Sequence, residues 1–434
     1  MVKLALSHRK TVLSNGLRVL TIPLKTTGAV TVLVLVGAGS RYENPENNGV
    51  AHFLEHIFFK GGKKYRNTRE VSEALDAVGA DFNAFTASEY AGYYVRVIAD
   101  KAQLAFDVLS DMLLSARLPQ EEIEKERKVI LEEYRMVNDT PIRKIGDLFE
   151  SLIFAGSPMG LPTIGDPQTI KKLSKKDFVY YRQKLYVPDN IVVAVAGDIT
   201  HQEACSLSKR YFRFPHGTKS LFSRLTLTPE GVGLKLLPKK TEQAHLIIGV
   251  PTFGAEDPRR YALKVLSTVL GEGMSSRMFL LIREKHGLAY YIHTGDELYT
   301  DAGYLATSAG VDLRRVQAAL KLILGEYERV TRSLVGPHEL KKAKERIKGS
   351  MVLNLEGPSN VAGYFSLQEL LLNKTESPSQ RLKKIDQVSA DDVKQVAKEI
   401  FQGGRFQLAI IGPYRQRRMF LNLLNHARKE FSAD

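Results

Sequence analysis

The stretch Gly49-Val50-Ala51-His52-Phe53-Leu54-Glu55-His56 is where the reading of this chain begins. Its pattern is helical. Val50, Phe53, Leu54, Ile57 and Phe58 supply the apolar positions, Asn47 and Asn48 precede it as N-cap residues, and Gly61-Gly62 can end it. On a helix His52 and His56 stand one turn apart on one face, close enough to share a single ion. Glu55 is one residue round from His56 and can lean over that ion without binding it. The order His-x-x-Glu-His mirrors the His-Glu-x-x-His of zinc hydrolases. Zinc takes two imidazoles plus a carboxylate and leaves a fourth position for water, from which Glu55 would remove a proton as general base. The plain alternative is a helix with two partly buried histidines and a surface glutamate. A third ligand decides between the two.

Downstream, Pro119-Gln120-Glu121-Glu122-Ile123-Glu124-Lys125-Glu126-Arg127-Lys128-Val129-Ile130-Leu131-Glu132-Glu133-Tyr134 reads as a helix, with proline at its start and glutamates in its first turn. Glu126, Ile130 and Glu133 share one face, because seven residues make nearly two turns. Most glutamates on such a helix are solvated surface charges.

Together these residues resemble the insulinase/pitrilysin (inverzincin) zinc metallopeptidases, among them the short, two-domain, processing-peptidase-like members. The family's signature is His-x-x-Glu-His, then 76 residues, then a glutamate ligand, with a further glutamate seven positions before it. Here 76 residues separate His56 from Glu133, and Glu126 lies seven before Glu133. The resemblance implies that His52, His56 and Glu133 bind one zinc per chain, that Glu55 is the base, and that Glu126 is a supporting carboxylate. Groups that hold a metal's ligands orient and tune them, which is the physical reason for such a residue.

The chain has 434 residues, enough for two or three domains with proper cores. Its single cysteine, Cys205, excludes an intramolecular disulfide framework and fits a reducing compartment. The longest apolar run, residues 29–39, is too short to cross a bilayer and reads as a buried strand. The start, Met1 to Lys10, lacks the apolar core of a signal peptide, so a cytoplasmic protein is expected. The net charge of +14 raises the question of nucleic acid, but the basic residues are scattered along amphipathic helices and no aromatic–basic modules accompany them. Neither a nucleic-acid nor a membrane partner is expected.

In chain order, Thr11–Pro23 and Ala29–Gly37 read as successive strands, Thr68–Val78 as a helix, and residues 79–86 with Tyr90–Ile98 as a hairpin. Helical patterns cover Lys101–Ala116, Pro119–Met136, Ile142–Phe154 and Ser174–Leu185, and residues 190–198 read as a buried strand. Pro215–Pro229 has no clear period and reads as a linker. The second half repeats the first: residues 170–178 align with 385–393, Ile191–Gly197 with Phe406–Gly412, and Gly16–Leu20 with Gly233–Leu237. The fold expected is α+β, two homologous domains, each a mainly antiparallel sheet packed with helices. An N-terminal zinc domain over 1–215, a linker over 216–230 and a C-terminal domain over 231–434 follow. Residues 260–270, the counterpart of the zinc helix, contain no histidine.

The resemblance extends to two further places. The family's Asn-Ala-x-Thr strand lies beside the zinc and pairs with substrate backbone, which makes Asn83 and Ala84 substrate-binding residues. An arginine and a tyrosine seven residues later bind the substrate carbonyl and stabilise the oxyanion; Arg283 and Tyr290 have that spacing. Longer relatives enclose substrate with four such domains. A two-domain chain therefore implies a homodimer whose active sites are completed by the partner chain. The expected activity is endopeptidase action on peptides or unstructured polypeptides. The rivals are a processing subunit that works with a second related chain, and a non-catalytic scaffold of the same fold.

Overall fold

In the computed structural model, which describes residues 6–225 and 231–432, the chain forms two compact units, neither of them one continuous stretch. The first takes the chain up to Arg135, Leu161–Ser223 and Met351–Ser379; the second takes Met136–Gly160, Arg224–Ser350 and the chain from Gln380 onward. Residues 226–230 of the expected linker lie outside the described residues.

The first sheet contains β1 (Arg9–Val12), β2 (Arg18–Pro23), β3 (Ala29–Val36), β4 (Asp81–Thr86), β5 (Ala91–Ile98) and β6 (Ile191–Gly197), in the order β1-β2-β6-β3-β5-β4. Only β2 and β6 run parallel. Thr11–Pro23 is not one strand, as its pattern suggested, but a hairpin. Gly16 turns the chain at φ 91, Leu17 N donates to Asn15 Oδ1 at 3.1 Å, and Val12 then pairs with Arg18. The second sheet holds β7 (Gly233–Pro238), β8 (Ala244–Phe253), β9 (Ala289–Leu298), β10 (Ala302–Val311) and β11 (Gln407–Gly412), in the order β7-β11-β8-β10-β9. It repeats the first from β2 onward, again with one parallel pair. The aligned strands Ile191–Gly197 and Phe406–Gly412 are equivalent, but Arg18 faces Val192 where Gly233 faces Gln407. Arg18, not Gly16, is thus the counterpart of Gly233.

Among the helices are α1 (Val50–Phe58), α2 (Gln120–Asp139), α3 (Pro141–Ile153), α4 (Arg260–Gly271), α5 (Pro337–Asn354) and α6 (Pro358–Leu372). The central strands are apolar on both sides, so each sheet needs cover on two faces. Side chains alternate along β3. Val30, Val32 and Val34 pack with Val50, Phe53, Leu54 and Ile57 of α1. Leu33 and Leu35 pack, with Leu20 and Ala194, against Val361, Ala362 and Phe365 of α6. In the second unit Leu246, Ile248 and Val250 meet Leu263, Leu266 and Leu270 of α4. The opposite face, with Ala306, Ala409 and Ile411, is covered by Ile145, Phe149 and Ile153 of α3. Each sheet is thus closed by a helix from the other half of the sequence.

The start of α1 departs from expectation. Asn47 and Asn48 do not cap it; Gly49 is the N-cap residue, at φ 96, with no side-chain hydrogen bond to the helix. Gly49 and Gly165 pack backbone to backbone, where a Cβ on Gly49 would come within 2.8 Å of Gly165 Cα. The free amides are met instead by the buried Glu43, whose carboxylate accepts from Gly49 N (2.8 Å), Ala51 N (2.8 Å) and Asn48 Nδ2 (2.9 Å). Burial raises the Glu43 pKa to about 7 against these hydrogen bonds. Glu43→Ala should lower the unfolding free energy by about 1–2 kcal/mol, the range of a lost N-cap, read as a fall in Tm.

Candidate metal centre

The apolar residues of α1 turn nearly all of the helix inward, with Phe53 against Phe178 (4.8 Å between centroids) and Phe58 against Tyr93 (5.4 Å). The same packing half-buries His52, Glu55 and His56 on the remaining face. On α2 only Ile123, Glu126 and Ile130 are buried, and the face they define continues to Glu133. The two helices bring together the three expected ligands. One donor atom from each of His52, His56 and Glu133 lies within 4.8 Å of the others. Glu133 Oε2 stands 3.7 Å from His52 Nε2 and 3.6 Å from His56 Nε2.

These donors fit a divalent ion of the zinc kind, which favours imidazole nitrogen and carboxylate oxygen. Burial, helped by the neighbouring His56, lowers the His52 pKa to about 3, so its ring is neutral and its lone pair available. For His56 burial alone would lower the pKa. The hydrogen bond to Glu126 and the charges of Glu55, Glu126 and Glu133 outweigh it and raise the value. His56 Nδ1 donates to Glu126 Oε2 at 3.1 Å, which leaves Nε2 free to face Glu133. His52 Nδ1 has no such partner among the described residues.

Glu55 sits at the same face, and the Thr86 hydroxyl donates to its Oε2 at 2.5 Å. Burial raises the Glu55 pKa, with Thr86 pulling the other way. Glu126 has a second partner: Lys60 Nζ is 2.6 Å from Oε1. Burial disfavours the Glu126 charge, but the hydrogen bonds from His56 and Lys60 prevail and its pKa is lowered. Neither Thr86 nor Lys60 was given a role by the sequence. Lys60 carried a usable signal, since it lies one turn beyond His56.

Asn83 and Ala84 lie on β4, the outermost strand, where one side of the backbone is unpaired. Asn83 is exposed, and its Oδ1 accepts from Ala84 N at 2.9 Å. Arg283 and Tyr290 belong to the second unit. The Arg283 guanidinium stacks over Phe279, 4.7 Å from the ring centroid. Tyr290, at the start of β9, is 75% exposed and opens on a hollow of about 510 Å³ with Lys239, Lys240 and His245. No hydrogen bond of either side chain is found among the described residues. No helix among them is long and apolar enough to cross a membrane.

Known proteins resemble this chain along most of its length. The insulinase (peptidase family M16) domain matches residues 18–167, and the peptidase M16 inactive domain matches 172–347. An uncharacterized zinc protease of Streptomyces coelicolor is 36% identical over 417 residues, covering 94% of this chain and 90% of its own. The uncharacterized zinc protease YmxG of Bacillus subtilis is 34% identical over 400 residues, covering 92% and 97%. The crystal structure of a protease from Helicobacter pylori superposes with a TM-score of 0.88 at 26% identity, covering 94% of this chain and 100% of that one. With both domains matched in order and relatives aligned along nearly their whole length, the chain belongs to the insulinase family, peptidase family M16.

Proposed function

We propose that the protein is a zinc-dependent endopeptidase of the cytoplasm, hydrolysing peptides or unstructured polypeptides at the centre formed by His52, His56 and Glu133. The observation that carries this reading is the convergence of those three donors with a hydrogen-bonded carboxylate, Glu55, on the same face. Zinc, when bound, supplies Lewis acidity that activates water near neutral pH and polarises the scissile carbonyl. Glu55 is the proton acceptor. Thr86 occupies one of its oxygens and fixes the carboxylate, and its raised pKa makes it a stronger base than an exposed glutamate. The open edge of β4 offers backbone groups to an extended substrate, with Asn83 and Ala84 the residues next to the cleaved bond. Arg283 and Tyr290, contributed by the partner chain of a homodimer, supply a cation and a phenol for the charge that develops on the carbonyl oxygen.

Removal and return of the metal test this reading. Protein stripped by a chelator should cleave a fluorogenic unstructured peptide at background rate, and about one equivalent of zinc per chain should restore it. Full activity in metal-free protein would overturn the proposal.

A further inference from the structure

From His56 a line of polar contacts leads away from the three ligands, through Glu126 to Lys60. Lys60 and Glu126 are both largely buried, with side chains 16% and 9% exposed. We propose that Lys60 is a positioning residue of the metal centre. It holds Glu126 in place, and Glu126 in turn holds the His56 ring with Nε2 toward the ion. This rests on the metal centre proposed above.

The geometry requires both partners of Glu126. A carboxylate this enclosed needs a donor for each oxygen, and here one comes from His56 and the other from Lys60. Among the described residues His52 Nδ1 has no corresponding anchor, so the orientation of the imidazole pair depends on the His56 side.

A simpler account of Lys60 is available: a cation just past the end of a helix interacts favourably with the helix dipole wherever it occurs. The second unit tells the two accounts apart, because it contains the same frame without the ligands. Phe82 pairs with Val95 in the first sheet, as Ile292 pairs with Ala309 in the second, which makes Thr86 and Asp296 equivalent. Thr86 hydrogen-bonds Glu55 of α1, and Asp296 accepts from Ser267 of α4 at 2.6 Å. His52, Glu55 and His56 therefore correspond to Lys264, Ser267 and Thr268. The glycines that follow the two helices, Gly61 and Gly273, both have φ 98, so Lys60 corresponds to Glu272. The buried pair Glu126 and Ile130 of α2 has Ala343 and Ile347 as its counterpart on α5.

Where Lys264, Thr268 and Ala343 stand in place of His52, His56 and Glu126, the position of Lys60 thus carries a negative charge. Glu272 pairs with Lys264, whose ammonium stands at the place of His52 and also lies 3.3 Å from Asp296. The same turn accepts either charge. The cation at position 60 accordingly goes with Glu126 and His56, and not with the helix end.

The test measures zinc affinity by competition with a chelator, together with the thermal midpoint of the metal-free protein. It uses Lys60→Met, Lys60→Arg, Glu126→Gln and the double variant Lys60→Met/Glu126→Gln. Lys60→Met should weaken zinc binding roughly tenfold, and Glu126→Gln roughly ten- to a hundredfold, the range for groups that hold a ligand. Lys60→Arg, which keeps the ion pair, should stay close to wild type. The double variant should bind zinc no worse than Glu126→Gln alone, because Lys60 acts through Glu126. Lys60→Gln gives the same reading should the methionine variant not fold. Wild-type affinity in Lys60→Met, or effects that multiply in the double variant, would overturn the proposal. Wild-type protein that takes up no zinc would overturn the metal centre itself, and this role with it.

Discussion

Glu55→Gln should keep its zinc and lose hydrolysis. Glutamine has nearly the shape of glutamate and can still accept from Thr86, so α1 and the positions of His52 and His56 stay as they are. What disappears is the ability to accept a proton. General-base assistance contributes roughly 10²–10⁴-fold, and kcat should fall by that factor. Metal content should remain at about one zinc per chain, since the three ligands are untouched. His52→Ala, His56→Ala and Glu133→Ala should behave differently and lose metal and activity together. Metal analysis carries the argument: a Glu55→Gln protein isolated without zinc would place Glu55 among the ligands and leave the base unassigned.

The second large effect concerns which chain completes the site. If zinc sits on one chain while Arg283 and Tyr290 come from its partner, two dead variants should complement each other. His52→Ala lacks the metal but has the pair; Arg283→Ala has the metal but lacks the cation. Mixed and allowed to exchange subunits, about half of the dimers contain one of each, and each mixed dimer has one complete site of two. About a quarter of wild-type activity should therefore return. A site formed wholly within one chain cannot be assembled by any pairing, and activity would stay at background. Subunits shown to exchange that recover nothing would exclude the shared site.

Much of the metal site was legible because helical spacing is local. His52 and His56 share a face whatever surrounds them, and Glu126, Ile130 and Glu133 do so on their own helix. Joining the two helices took the resemblance, since nothing in 76 intervening residues says which elements will meet. The features that were missed depend on such meetings. Glu43 caps α1 from a loop, and the usual rule, which looks for a short polar residue next to the helix, points to Asn47 and Asn48 instead. Thr86 and Lys60 acquire their roles only once Glu55 and Glu126 face them. Ser14-Asn15-Gly16 did contain a turn signal, but the apolar alternation on either side concealed it. The repeat in sequence revealed two similar sheets; an amphipathic helix does not state which sheet it will cover, so the crossing of α3 and α6 went unread.

That crossing bears on how the protein comes off the ribosome. The first sheet, with α1 already on one face, keeps Leu20, Leu33, Leu35 and Ala194 uncovered until Val361, Ala362 and Phe365 have been synthesised. Pairing elements so distant along the chain is slow, and the waiting surface is apolar. The half that carries His52, His56 and Glu133 therefore cannot complete its core ahead of α6. The first sheet stays unfinished until the chain has emerged past Phe365, and a fragment ending at the junction of the two repeats would be left with a bare hydrophobic face.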